Sequence, residues 1–222
     1  MSIHGISTEC GVYMIHVKIL DINHRAKEII DTLLDRSWIK RLGVIDQKAY
    51  NARAEKTITH LVENILNHVE DTVTEEFGEY LISDSAGNAL SEVHKHKKIA
   101  LAELWKEQMT GNPGFDFHTE SPMELVIFGE AKFKSSGSPY TVALNQIVSF
   151  ITDQKDVMEL ADLQKLASEK SIQNALDNKK GFIAAFSLNA KNQSAIFEKA
   201  LKTDAAKNLL NFAELYLIGI EI

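Results

Sequence analysis

The stretch that decides the fold is Glu-Leu-Val-Ile-Phe-Gly-Glu-Ala-Lys-Phe at residues 124–133, which follows Phe-Asp-Phe-His at residues 115–118. The longer segment is apolar and rich in β-branched and aromatic residues, which predicts a strand. Side chains alternate between the two faces of a strand, so Glu130 and Lys132 are expected on one face. Turn-forming residues at 119–122 predict a β-hairpin that brings Asp116 alongside Glu130.

This hairpin would gather two carboxylates and one ammonium group at the end of an apolar strand. Burying Asp116, Glu130 or Lys132 alone would be costly, so the three together indicate a compensated polar site. Hard oxygen ligands suit Mg²⁺ or Mn²⁺. A metal in such a site activates water, and a lysine orients that water or stabilises developing negative charge. The pattern therefore predicts metal-dependent hydrolysis of a phosphodiester.

The remaining segments alternate between helix and strand patterns, which predicts an α/β fold. Apolar residues at helical spacing predict helices at about 25–39, 56–81, 95–108, 139–153, 157–167, 172–176 and 193–212. Strand patterns occupy 12–20, 181–188 and 215–222 in addition to the hairpin. Residues 83–88, Ser-Asp-Ser-Ala-Gly-Asn, are turn-forming types and predict a loop.

Composition limits the class of protein. The chain has 222 residues, 45% of them hydrophobic, which is enough for a core within one domain. Its apolar runs are shorter than the roughly 18 residues of a membrane span, and Met1-Ser2-Ile3-His4 lacks the pattern of a signal peptide. We therefore expect a cytoplasmic protein without a membrane segment. The single cysteine, Cys10, excludes an internal disulfide and a cysteine-based zinc site.

The formal net charge of −7 opposes binding of nucleic acid by the surface as a whole. Binding would require a local basic groove, a metal that offsets its own carboxylates, or a partner protein that holds the nucleic acid.

The residues quoted above resemble the PD-(D/E)XK, or restriction-endonuclease-like, nuclease superfamily. Its core is a helix, three strands, a helix and a further strand around an acidic residue and a Glu-X-Lys motif. The resemblance implies a single nuclease domain over 1–222, with an N-terminal strand-helix addition at 1–55, the core at 56–190 and a C-terminal helix and strand at 191–222. It implies that Asp116, Glu130 and the backbone carbonyl of Ala131 bind the metal, while Lys132 assists the water.

The superfamily also implies secondary site residues. Many members place a glutamate on the opening helix, which here is Glu76 or Glu79. Some place a glutamine on the second helix, which here is Gln146, although Phe150 replaces the tyrosine that follows it in those members. The proline of the nominal motif is absent directly before Asp116.

A narrower resemblance is to the DUF1837 family, the nuclease subunit of Hachiman antiphage defence systems. It rests on Phe-Gly-Glu at 77–79, Trp-Lys at 105–106, Gly-Phe-Asp at 114–116 and Phe-Gly-Glu-Ala-Lys-Phe at 128–133. That family acts beside a helicase partner. The resemblance implies that a helicase delivers the DNA to an acidic nuclease, and it leaves the oligomeric state open.

Other interpretations of the same residues stay open at this stage. Glu-X-Lys also occurs as a surface ion pair, and Asp116 also suits a turn or a helix cap. Glu120 and Glu124 are reserve carboxylates. The competing functional hypothesis is a catalytically degenerate nuclease-fold module that binds nucleic acid or a partner protein.

The histidines give weaker evidence of a functional site. Residues 94–98, His-Lys-His-Lys-Lys, predict a basic loop that contacts phosphate or is simply solvated. His94, His96 and His118 lack the spacing of a zinc site.

Overall fold

The computed structural model describes residues 10–68, 73–106, 114–134, 136–190 and 192–222. In these residues six strands form one sheet: β1 Gly11–Lys18, β2 Lys97–Lys98, β3 Phe117–Glu120, β4 Val126–Lys132, β5 Gly181–Ser187 and β6 Glu214–Glu221. Their order across the sheet is β1-β6-β5-β4-β3-β2. Strands β2, β3 and β4 pair antiparallel, whereas β4, β5, β6 and β1 pair in parallel. The predicted α/β class is confirmed.

Helices pack around this sheet. They are α1 Ile22–Leu34, α2 Val44–His68, α3 Glu75–His94, α4 Ala102–Trp105, α5 Pro139–Thr152, α6 Lys155–Met158, α7 Leu160–Leu163, α8 Glu169–Leu176, α9 Gln193–Leu201 and α10 Asp204–Leu209, with a 3-10 turn at Ile39–Arg41. No helix in the described ranges is both long and apolar enough to cross a membrane. Residues 1–9, which carry the prediction about a signal peptide, lie outside those ranges.

Helices α3 and α5 cover opposite faces of the sheet. His94 of α3 contacts Tyr216 of β6, and Tyr140 of α5 contacts Phe186 of β5. Tyr216 pairs with Ile183, which lies three residues before Phe186 and therefore points to the other face. The central strands are consequently buried on both sides.

The hairpin prediction is confirmed, but its turn lies further along the chain. Residues 119 and 120 belong to β3, and the turn closes where Ser121 N donates to Leu125 O at 2.9 Å. The antiparallel register pairs Phe117 with Gly129 and Glu120 with Val126. Helix 139–153 and strands 12–20, 181–188 and 215–222 are also found, with ends within about two residues.

The single helix predicted for 56–81 is wrong. Helix α2 ends at His68, and α3 begins at Glu75 after an N-cap at Thr74, whose side chain accepts a hydrogen bond from Phe77 N at 3.2 Å. Residues 69–72 lie outside the described ranges. The apolar spacing continues from one helix into the next, so periodicity alone does not reveal the capping residue between them.

The loop predicted for 83–88 is also wrong, because these residues form the buried middle of α3. Asp84 is fully buried and forms ion pairs with Arg25 of α1 and Lys98 of β2. Ion pairs with residues of other elements thus stabilise a helical segment whose residue types have a low helix propensity.

Four further helix predictions need correction. Instead of a helix at 95–108, the described residues contain β2 and the short α4, since Lys95 adopts a left-handed backbone (φ 60°) that ends α3; residues 107 and 108 lie outside the description. The helix at 157–167 is divided into α6 and α7, and that at 193–212 into α9 and α10. Thr203 caps α10 through a hydrogen bond from Ala206 N. The helix expected at 25–39 lies at 22–34.

Two glycines bring phenylalanine rings against the backbone beside the hairpin. A Cβ on Gly78 of α3 would lie 2.2 Å from Phe133 Cγ, and a Cβ on Gly129 of β4 would lie 2.5 Å from Phe117 Cζ. Neither distance is possible for a real side chain, so glycine at these positions allows α3 and β3 to pack closely on the end of β4.

We predict that Gly78→Ala destabilises the protein by about 1–2 kcal/mol. Three Phe133 atoms would lie within 2.7 Å of the new Cβ, so overpacking should cost about 2–3 kcal/mol, while the higher helix propensity of alanine returns about 1 kcal/mol. Urea denaturation measures the difference. Gly43→Ala is the control, because a Cβ there meets only Asp46, at 3.8 Å; we expect a change within about 0.5 kcal/mol. Equal stability of Gly78→Ala and the unsubstituted protein would contradict the close contact.

Candidate functional site

The structure brings together the three main residues predicted from the sequence. Asp116 directly precedes β3, while Glu130 and Lys132 lie in the second half of β4. Since Phe117 pairs with Gly129, the preceding Asp116 lies beside Glu130. The Nζ atom of Lys132 is 2.8 Å from Glu130 Oε1. The carboxyl end of β4 therefore carries a compact group of charged side chains.

Asp116 is bound to β4 on both sides of Glu130. Its backbone N donates to Gly129 O at 2.9 Å, and its Oδ2 accepts a hydrogen bond from Ala131 N at 2.8 Å. Ala131 is fully buried and pairs with Ala185 of β5. The Asp116 carboxylate is consequently held at a defined position next to the backbone of Ala131.

Helix α3 contributes a further carboxylate. Glu79 Oε1 accepts a hydrogen bond from Lys132 Nζ at 3.1 Å. Glu76, one turn earlier and exposed, borders a cavity of about 80 Å³ together with Glu79 and Asp116. Of the two glutamates considered from the sequence, Glu79 contacts the charged group and Glu76 lies at its edge.

The structure does not bring the other candidates into this group. Gln146 is half-buried on α5, and within the described chain it makes no hydrogen bond to Asp116, Glu130 or Lys132. Glu120 is buried but interacts with Lys97 and the backbone N of Ser168. Glu124 is exposed in the hairpin turn.

Glu130 is the most unusual member of the group. Its side chain is fully buried; Lys132 Nζ lies 2.8 Å from Oε1, and no described group donates a hydrogen bond to Oε2. Buried polar atoms in folded proteins almost always have a hydrogen-bond partner. The absence of a described partner at Oε2 therefore indicates that a proton or a cation completes the surroundings of this carboxylate.

Burial and repulsion by neighbouring carboxylates shift the pKa values of both Asp116 and Glu130 upward. Burial raises the pKa of Glu130 well above its usual range, and the nearby charge of Asp116 adds to the shift. Burial also raises the pKa of Asp116 to about 6, against the opposing effects of the Lys132 charge and the Ala131 hydrogen bond. Proton binding is therefore favoured at both positions when no other cation is near.

The charge of Lys132 is maintained by its neighbours. Burial lowers the pKa of Lys132, but the negative charges of Glu130 and Asp116 outweigh this effect and the net shift is upward. Lys132 remains an ammonium group. It is also the sole cation that pairs with Glu130 or Glu79 in the described chain, so the group has an excess of negative charge.

The donor chemistry of this group fits a divalent cation. The available oxygen atoms are hard ligands of the kind that Mg²⁺ and Mn²⁺ prefer, and the excess negative charge favours a cation. The predicted ligand set is Asp116, Glu130 and the carbonyl of Ala131. Within the described ranges no cluster of three or more His, Cys, Asp or Glu side chains is arranged to hold a metal; the predicted set, with two carboxylates and one carbonyl, is smaller than such a cluster.

Sequence reasoning missed Glu159 and Lys106, which bind the backbone of the residue before Asp116. Glu159, between α6 and α7, accepts hydrogen bonds from Phe115 N at 3.0 Å and from His118 Nε2 at 2.7 Å. Lys106, directly after α4, pairs with the same carboxylate and donates to Phe115 O. No local pattern marks Glu159, because its partners lie far away in the sequence.

The basic segment 94–98 is solvated only in part: Lys95, Lys97 and Lys98 are exposed, whereas His96 is not. His96 is buried, and its ring nitrogens lie 2.9 Å from Thr119 Oγ1 and 3.0 Å from Tyr216 Oη. Burial lowers the pKa of His96 to about 4. Lys98 is held by Asp84. This segment therefore stabilises the edge of the sheet.

Comparison of the chain with protein-family models, curated proteins and solved structures finds no match in any of the three. The chemistry of the site must consequently be inferred from its residues and their geometry.

We predict that Asp116→Asn stabilises the metal-free protein in a pH-dependent way. The folded-state pKa of Asp116, about 6, is above its usual value, so its contribution to stability is present below about pH 4 and is lost as the pH rises through about 6. The melting temperature of Asp116→Asn relative to the unsubstituted protein should therefore increase between pH 4 and pH 7.

Thermal unfolding in the presence of a chelator measures this difference. Asp153→Asn, which removes an exposed carboxylate after α5, is the control for the loss of one negative charge. A constant difference for Asp116→Asn across this pH range would argue against the raised pKa.

Proposed function

We propose that this protein is a Mg²⁺-dependent deoxyribonuclease that hydrolyses phosphodiester bonds within DNA. The observation that carries the proposal is the fully buried carboxylate of Glu130: its one cationic neighbour among the described residues, Lys132, also pairs with Glu79, and Asp116 places a second carboxylate beside it. A structural ion pair would not require a second carboxylate with a raised pKa in the same place. A metal site of a hydrolase does, because the cation replaces the protons.

In this proposal each residue of the group has a separate role. Asp116, Glu130 and the carbonyl of Ala131 would hold the ion, which supplies Lewis acidity when bound. Lys132, fixed between Glu130 and Glu79, donates a hydrogen bond to the attacking water or to negative charge that develops on the phosphoryl group. Glu79 restricts the position of the lysine and is a positioning residue.

The order of elements supports assignment to the PD-(D/E)XK superfamily. Helix α3 is followed by the antiparallel strands β2, β3 and β4, with the short α4 between β2 and β3. Then come α5 and, after the short helices α6, α7 and α8, the parallel strand β5. The resemblance implies the same sequence of helix, three strands, helix and strand. The opening helix is then α3, which carries Glu79, rather than the 56–81 segment expected from periodicity.

The net charge supports the proposal of a partner. At −7, the chain repels DNA over much of its surface, so a second protein that holds the substrate would raise the local concentration of DNA at the site. We propose a helicase in this role, within an antiphage defence system of the Hachiman type, on the basis of the DUF1837 resemblance.

We predict that Glu130→Ala and Lys132→Ala each reduce Mg²⁺-dependent DNA cleavage by at least about 100-fold, the usual effect of removing a group that stabilises a transition state. Cleavage of plasmid DNA is measured with the purified protein alone and together with the product of the neighbouring gene.

The matched controls are Glu221→Ala and Lys18→Ala. These residues form another glutamate-lysine pair with a 2.8 Å separation, but at the exposed β1 edge of the sheet. We expect both control variants to retain full activity. Cleavage that survives Glu130→Ala would overturn the proposed mechanism.

A second measurement separates a nuclease from a catalytically degenerate module. We predict that Mn²⁺ binds the unsubstituted protein at one site, as measured by isothermal titration calorimetry, and that Asp116→Ala and Glu130→Ala weaken this binding by at least about tenfold, as expected for the loss of a ligand. A degenerate module would bind no Mn²⁺ at these residues.

A further inference from the structure

The backbone of Phe115 is held by side chains from two distant elements. Its N–H donates to Glu159 Oε1 at 3.0 Å, and its carbonyl accepts a hydrogen bond from Lys106 Nζ. Strand β3 begins only at Phe117. The two side chains thus take the place of a neighbouring strand for the residue immediately before Asp116. We call Lys106, His118 and Glu159 the Phe115 clamp.

The clamp is a buried and internally compensated unit. Glu159 is 8% exposed and His118 is fully buried. Burial raises the pKa of Glu159, but its interactions with His118 and Lys106 outweigh this effect and the net shift is downward. The two oxygens of Glu159 bind different partners: Oε1 binds Phe115 N and Lys106, and Oε2 binds His118. Such an arrangement fixes the carboxylate in one orientation.

The chain passes close to the clamp just before the site. A Cβ on Gly114 would lie 2.1 Å from Glu159 Oε1 and 2.8 Å from Lys106 Nζ. Glycine at this position is required for the close approach. In the Gly-Phe-Asp sequence at 114–116, Gly114 therefore contacts the clamp, the backbone of Phe115 is bound by it, and Asp116 is a predicted metal ligand.

We infer that Glu159 and Lys106 are positioning residues for Asp116. By fixing both backbone groups of Phe115, they direct the Asp116 carboxylate onto Ala131 N, beside Glu130. Partners of this kind, one step removed from a metal ligand, typically change metal affinity by about 10–100-fold. The inference deepens the proposed metal site, and its metal-binding consequence rests on the proposed function; the position of Asp116 itself does not.

The experiment compares Glu159→Gln and Lys106→Met with Asp156→Asn. Glutamine has one acceptor oxygen instead of two and no charge, so it cannot accept from both Phe115 N and His118 or form the ion pair with Lys106. Methionine keeps most of the aliphatic length of lysine but cannot donate to Phe115 O. Asp156 is the matched control, because it is also a buried carboxylate of this helical segment but pairs with Lys180 rather than with the clamp.

The first measurement needs neither metal nor activity. The Ala131 amide proton reports on Asp116, because Asp116 Oδ2 is its acceptor. We expect nuclear magnetic resonance of the metal-free protein to show a changed Ala131 amide shift, and hydrogen exchange at least about tenfold faster, in both clamp variants. Asp156→Asn should lower the melting temperature but leave the Ala131 amide shift unchanged. The hydrogen-exchange rate of Ala131 relative to other buried amides should also stay the same.

The second measurement is Mn²⁺ affinity, which should fall by about tenfold in the clamp variants and stay unchanged in Asp156→Asn. An unaltered Ala131 amide in both clamp variants, or an equal alteration in Asp156→Asn, would overturn the inference. If the unsubstituted protein binds no Mn²⁺, the proposed function fails, while the Ala131 amide still decides whether the clamp positions Asp116.

Discussion

Burial of the Glu130 carboxylate is the constraint on which the arrangement of the site depends. Transfer of an ion from water to such surroundings costs several kcal/mol unless nearby groups compensate. Lys132 provides part of the compensation on the same strand, and Glu79 fixes that lysine from α3. Asp116 adds a second negative charge instead of removing one. An added proton or cation therefore stabilises the group, and the surrounding core offsets the rest of the cost of burial.

The supporting core is built from close contacts between backbone and aromatic rings. Glu79 and Glu130 each follow a glycine, and a phenylalanine ring covers that glycine: Phe133 lies against Gly78, and Phe117 against Gly129. Phenylalanine rings thus occupy the space where a Cβ would lie. This packing fixes the backbone from which each glutamate extends, and precise placement of site residues requires such rigid support.

The hairpin and its charged residues could be predicted because the information is local: alternation along 124–133 places Glu130 and Lys132 on one face. Helix α3 could not be predicted in this way, because its middle consists of turn-forming residues. Ion pairs of Asp84 with Arg25 and Lys98, which belong to other elements, stabilise it. Glu159 was missed for the same reason. Its contacts with Phe115 and His118 depend on the tertiary fold, and a single sequence does not display such pairs.

The pairing of β1 with β6 has a consequence for the order in which the chain assembles. Gly11 pairs with Glu214 and Lys18 with Glu221, so among the described residues each residue of β1 finds its partner 203 positions later in the chain. The hairpin β3–β4 and its neighbour β5 involve much shorter loops and can close earlier. During synthesis the first strand must stay unpaired, with its apolar residues exposed, while the site-bearing half of the sheet already forms. This topology therefore leaves β1 open to non-native contacts until β6 has been synthesised.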